Sequence, residues 1–139
     1  MLDLKTGRDA TPTDRNEEEI GEKFVSALIA QDFAALQECF APEVRFRALV
    51  PKGVREAATA EEAAAWLRKW FGDSDQMELQ ASRAETVQDR LHISYKLHEH
   101  EAGEWFLIEQ QAYCTVSDGL ITDMALLCSG FRPTGENGD

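Results

Sequence analysis

Four polar side chains carry the chemical possibilities of this sequence, Tyr95, Gln110, Asp123 and Ser129, with the indole of Trp66 as a fifth, apolar candidate. Asp123 stands among aliphatics in LITDMALL. A carboxylate buried there loses hydration, so its pKa rises and it can move protons near neutral pH. The structural reading of the same residue is a side chain that reaches water near a turn or pairs with a cation such as Arg83. Tyr95 and Gln110 can aim hydrogen bonds at a ligand carbonyl or enolate. They can equally bond to each other, because buried polar groups need partners. Ser129 has no base at a predictable position beside it, so it is a ligand contact and not a nucleophile. Trp66 and Trp70 stand four residues apart on one helix face, a spacing that serves core packing as readily as a ligand wall.

Other arrangements point to structure. His98-x-His100 puts two imidazoles on one strand face, but no third ligand accompanies them and no metal is expected. Glu109 falls opposite Lys96 and reads as half of a cross-strand ion pair. Cys39, Cys114 and Cys128 have unrelated spacings and no C-x-x-C, which suits reduced thiols. Cys114 is expected opposite Asp123, not a histidine, so no activated thiolate is expected. No cofactor motif is present and no cofactor is expected.

These side chains must be positioned by one hairpin. Trp105 to Val116 and Leu120 to Phe131 flank Asp118-Gly119, the dipeptide that a type I′ turn selects. That turn pairs Val116 with Ile121, Cys114 with Asp123, Ala112 with Ala125, Gln110 with Leu127 and Ile108 with Ser129. A second turn at Ala102-Gly103 pairs Leu97 with Ile108 and Tyr95 with Gln110. Period-2 alternation then turns Tyr95, Gln110, Asp123 and Ser129 toward one mostly apolar face. The opposite face gathers Trp105, Leu107, Tyr113, Met124 and Leu126, too much apolar surface for a monomer, so a homodimer through it is expected.

Upstream, residues 1–15 read as a flexible lead-in, and Asn16 as the cap of a helix with Ile20, Phe24, Ala27 and Leu28 on its buried stripe. Asp32 caps a short helix ended before Pro42; Glu43 to Val50 is a strand; Pro51 to Ala58 is a loop; Thr59 to Trp70 is a third helix. Met77 to Val87 is a strand whose register the turn leaves open; the preferred three-residue turn puts Met77, Leu79, Ala81 and Arg83 beside Tyr95. Residues 16–133 form one domain and 134–139 a polar tail. Helices segregated from an antiparallel sheet make the class α+β.

The bulk numbers exclude several functions. Fourteen Lys and Arg against 26 Asp and Glu leave a net charge of −12, unsuited to a phosphate backbone, so no nucleic acid is expected. No apolar run approaches the length of a membrane span, and no leader pattern opens the chain; the expectation is a cytoplasmic protein with no membrane partner.

FVSALIAQDFAALQECFAPEVRF (Phe24 to Phe46), EEAAAWLRKWFG (Glu61 to Gly72), EQQAYCTVSDGLITDM and LLCSGFRP together resemble the nuclear transport factor 2-like superfamily, in its SnoaL-like branch. The resemblance implies a cone, with a curved antiparallel sheet wrapped around three helices from the N-terminal half, an apolar pocket for a small apolar ligand, and a homodimer. It allows three functions: a small-molecule-binding domain; a cofactor-independent lyase, isomerase or hydrolase of cyclase, dehydratase or epoxide-hydrolase type with Asp123 as acid/base; or a structural dimerisation module. The isomerases of this superfamily carry an acid or His soon after the first strand's aromatic. Here Phe46 is followed by Arg47-Ala48-Leu49-Val50-Pro51, and that base is missing.

Overall fold

The computed structural model describes residues 12–134, with side chains from Glu17 onward. Three helices, α1 (Pro12–Ile29), α2 (Phe33–Glu38) and α3 (Ala60–Phe71), accompany strands β1 (Phe40–Val50), β2 (Gly53–Ala57), β3 (Gln76–Val87), β4 (Arg90–Glu101), β5 (Glu104–Ser117), β6 (Leu120–Cys128) and β7 (Arg132–Pro133). Of the expected lead-in (1–15) and tail (134–139), residues 1–11 and 135–139 lie outside the described residues. α1 starts with Pro12, a residue pre-set for the first helical position, so Asn16 lies inside the helix and not at its cap.

The other two helices start where the sequence places them. Asp32 accepts a hydrogen bond from the Ala35 amide at 3.1 Å, and Thr59 from the Glu62 amide at 3.1 Å. Glu62 reaches back to the Ala58 amide at 2.9 Å, closing a reciprocal cap.

The sheet corrects the expected cone. Its order is β2-β1-β6-β5-β4-β3 with β7 on β5, an open path with β2 and β3 at its free edges, neither closed nor strongly curled. Nor is it all antiparallel: β1 runs parallel to β6, so the sheet is mixed. The class is α+β all the same. The segment expected as a loop after Pro51 instead turns back as β2, pairing Leu49 with Val54.

Both turns of the central meander form as expected, with Asp118 and Gly119 at φ 54° and 78° and Ala102 and Gly103 at 53° and 81°. Tyr95 pairs with Gln110 and Leu97 with Ile108. Two bulges then change which residues face the helices. On β6, Val116 pairs with Ile121 but Thr115 with Asp123, leaving Thr122 as an extra residue. Beyond it the register runs Cys114 with Met124, Ala112 with Leu126 and Gln110 with Cys128, one residue off the expected set. Met124, Leu126 and Cys128 are therefore buried, and Asp123, Ala125, Leu127 and Ser129 turn to the other face. On β3, Gln80 is the extra residue: Leu79 and Met77 share the inner face with Leu97, while Arg83 pairs with Ser94 and looks outward.

The core is a seam of aromatics between α1 and the sheet. Phe24 meets Phe40 at 6.0 Å and Tyr95 at 6.2 Å, and Phe40 meets Phe46 edge-on at 6.2 Å. Each such pair contributes roughly 0.5–1.5 kcal/mol beyond its buried area. Gly21 lets α1 lie this close, because a Cβ there would come within 2.9 Å of the Ala84 Cβ on β3. Gly21→Leu should cost about 1–3 kcal/mol, as overpacking does. Urea unfolding checks it, and an unchanged midpoint would show that the helix has room.

Candidate functional site

The inner face of the sheet brings together two of the proposed polar groups. Tyr95 and Gln110 are both 3% exposed, and the Tyr95 hydroxyl donates to Gln110 Oε1 at 2.5 Å. Burial pushes the Tyr95 phenol well above its ordinary range, with the Cys128 and Cys114 thiols adding to the rise. It is therefore a neutral hydrogen-bond donor at any physiological pH. Gln110 Nε2 has no partner among the described residues, which leaves one buried donor uncommitted.

Asp123 does not join this pair. The Thr122 bulge places it opposite Thr115 on the outer face, half-buried, while Gln110 faces inward beside Cys128. Ser129 is also taken up locally: its hydroxyl accepts from the Glu109 amide and donates to the Gly130 carbonyl, each at 2.9 Å. Glu109 lies opposite Lys96 as expected, but its carboxylate meets Arg132 at 3.3 Å instead. All three cysteines are buried and unpaired, and burial pushes Cys39 to about 11 and Cys114 to about 12, so both are inert thiols.

One buried acid escaped the sequence reading. Glu99 is fully buried; Ser74 donates a hydrogen bond to its Oε1, and its Oε2 has no partner among the described residues. The signal was available: Leu91, Ile93, Tyr95 and Leu97 alternate inward, and Glu99 is the next in phase. Burial raises its pKa; the Ser74 bond and His100 lower it, while Glu101 and Asp75 raise it. On the outer side of the same strand His98 stacks on Trp105 at 4.3 Å and meets Glu78 at 3.3 Å, and His100 meets Asp75 at 3.1 Å. Among the described residues no group of three His, Cys, Asp or Glu side chains is placed to hold a metal.

The apolar pocket lies at one end of the sheet. A cavity of about 620 Å³ opens between the β1–β2 turn, the last turn of α3 and the chain leaving β6. Its walls are Val50, Pro51, Trp70, Cys128 and Phe131, with Ser129 at the margin. Phe131 is held from behind by Phe71 at 5.5 Å and Phe106 at 6.2 Å. Trp70 is backed by Trp66 at 5.9 Å, whose indole N–H donates to the Glu56 carbonyl at 3.0 Å. Trp66 therefore supports the pocket wall and does not line it. Lys52, Arg55, Lys69 and Gly130 complete the lining. The Tyr95–Gln110 pair sits behind this wall, since Gln110 is the cross-strand neighbour of Cys128.

The SnoaL-like domain family profile matches residues 22–124 of this sequence. The chain belongs to that family. It is a SnoaL-like domain of the nuclear transport factor 2-like superfamily with an apolar, aromatic-walled pocket. No curated protein matches the chain. Among solved structures, a candidate SnoaL-like polyketide cyclase from Jannaschia sp. CCS1 superposes with a TM-score of 0.70 at 17% identity, covering 88% of this chain and 91% of that one. An LEH-like epoxide hydrolase of M. tuberculosis gives 0.68 at 16% identity, covering 85% and 86%. A candidate polyketide cyclase from Xanthomonas campestris pv. campestris gives 0.67 at 17%, covering 82% and 90%. At such identities these likenesses show the fold alone.

Glu99 makes the SnoaL-like domain pH-sensitive in a definite direction. Its folded pKa lies above the ordinary 4.5. Between those two values the native state binds more protons than the unfolded chain, so stability falls as pH rises through that window and stays reduced above it. Glu99→Gln keeps an acceptor for Ser74 and removes the charge. The variant should gain stability relative to the parent as pH rises above 4.5, with no gain below it. Urea titrations across that range check this; an offset independent of pH would show that Glu99 ionises in place without cost.

Proposed function

We propose that this SnoaL-like domain binds a small apolar molecule in the pocket between Trp70 and Phe131. The observation that carries the reading is an aromatic-walled cavity of ligand size, about 620 Å³, with Trp70 and Phe131 in its lining. Pockets of a few hundred to about 1,000 Å³ bury most of a drug-sized ligand. Tyr95 and Gln110 support the wall from behind, through Cys128, and Gln110 Nε2 offers a donor to a ligand group that displaces the Cys128 side chain. Ser129 offers its hydroxyl oxygen at the margin.

We route no reaction through Asp123, because an acid/base group must come within hydrogen-bond reach of the atom it serves. Its place on the outer face keeps it away from this cavity. A binding role therefore ranks before a lyase, isomerase or hydrolase of the kind that the names of the structural relatives suggest. The three buried, unpaired cysteines suit a reducing compartment, and we place the protein in the cytoplasm. Among the described residues no helix is long and apolar enough to cross a membrane.

A neutral bicyclic probe, 2-naphthamide, should quench the intrinsic tryptophan fluorescence on titration. Trp70→Ala should weaken its binding about tenfold or more, the loss expected when roughly 1.4 kcal/mol of aromatic contact is removed. Equal affinity in parent and variant would remove the pocket from consideration.

The second part of the proposal is a homodimer through the outer sheet face. Val54, Leu49 and Leu127 form a row across β2, β1 and β6, exposed by 57%, 52% and 47%, and Tyr113 stands nearby on β5. An apolar row on an otherwise solvated sheet face is what a second copy covers. Sedimentation velocity should show a dimer for the parent and a monomer for Leu127→Glu. A parent that stays monomeric at high micromolar concentration would overturn this reading.

A further inference from the structure

We infer that the ligand of this pocket carries an anionic group, of the carboxylate class, on its apolar body. The inference rests on the pocket reading above and adds the polar end of the molecule. Three cations, Lys52, Arg55 and Lys69, line the cavity, and no acidic side chain lines it. Among the described residues none of the three is in an ion pair. The sequence holds only 14 Lys and Arg against 26 Asp and Glu. Three cations on one cavity wall that holds no acidic side chain make that wall locally positive in a chain that is acidic overall.

The aromatic wall also holds two of these cations in place. The Arg55 guanidinium lies 5.7 Å from the Trp66 ring centroid and the Lys69 ammonium 5.4 Å from it. Both are within cation–π range, so Trp66 positions charge at the rim while Trp70 forms the wall. Glu56 and Glu62 line a second hollow, which Trp66 and Lys69 also border. Arg55 offers a planar fork suited to a carboxylate, and Lys52 and Lys69 add point charges. An apolar body against Trp70 and Phe131 and a carboxylate toward Arg55 would satisfy both halves of the lining.

The test compares three probes of one shape on the full chain by calorimetric titration: 2-naphthoate, neutral 2-naphthamide and 2-naphthylmethylammonium. The acid should bind about tenfold tighter than the amide, the worth of one charge-assisted hydrogen bond, and the ammonium weakest. Raising the salt concentration should narrow the difference between acid and amide, because the cations stand at a solvent-facing rim. In Lys52→Gln/Arg55→Gln/Lys69→Gln the acid should lose its advantage over the amide. An amide that binds the parent as tightly as the acid overturns the anionic group and leaves the pocket reading standing. Failure of all three probes to bind overturns both. The comparison on the parent decides even where the triple variant does not fold.

Discussion

One extra residue in a central strand decides what this molecule can do. β6 is hydrogen-bonded to β1 on one side and β5 on the other, so its phase is fixed twice. With Thr122 inserted, Ile121 faces the helices and so do Met124, Leu126 and Cys128, which a regular strand would turn to solvent. The bulge buries Met124, Leu126 and Cys128 in place of Asp123, Ala125, Leu127 and Ser129, so the interior exchanges two polar side chains for apolar ones. Against that, one unpaired backbone position in a ladder is a small cost. The same offset carries Asp123 out of the interior. A carboxylate without a partner would lose its hydration there, so the packing and electrostatic terms favour the same register.

This explains which parts of the fold were legible in sequence. Turn chemistry is local, and the two dipeptides Asp118-Gly119 and Ala102-Gly103 gave their hairpins, with the β4–β5 register that follows. Helix caps are local too, and Asp32 and Thr59 both act as such. A bulge is not local. It arises where two periodic patterns from distant segments fail to match, and LITDMALLC reads as well in one phase as in the other, because aliphatics occupy both. The parallel pairing of β1 with β6 is equally hidden, since more than seventy residues separate the partners and nothing in either strand codes direction.

The candidate site divides in the same way. Tyr95 and Gln110 were found because their strand pair has no bulge between them and the turn that sets its register. Their hydrogen bond to each other is the outcome that low dielectric favours when two polar groups face across strands. Glu99 shares their phase, but the apolar residues of that stripe stop at Leu97, so no apolar residue marks the next position as inward. The pocket itself could not be read at all. Its wall joins residues from the β1–β2 turn, the end of α3 and the chain after β6, and only the closed tertiary structure makes Lys52, Arg55, Lys69, Trp70 and Phe131 neighbours.

The placement of charge and aromatic surface follows from the same economy of burial. Phe71 and Phe106 each pack against Phe131, which also lines the cavity. Trp66 and Trp70 lie one helical turn apart, so one can support the other while the first also engages Arg55 and Lys69. The aromatic groups thus do two things at once: they close the apolar wall, and they fix cations at its rim that would otherwise extend into solvent or seek the abundant acids. The long-range field of a chain with net charge −12 opposes an approaching anion. At the pocket the nearest charges outweigh it, because screening suppresses interactions beyond about 8–10 Å at physiological salt. On the proposed reading, selectivity rests on three cations at the rim, two of them held against one indole, and not on the overall charge of the protein.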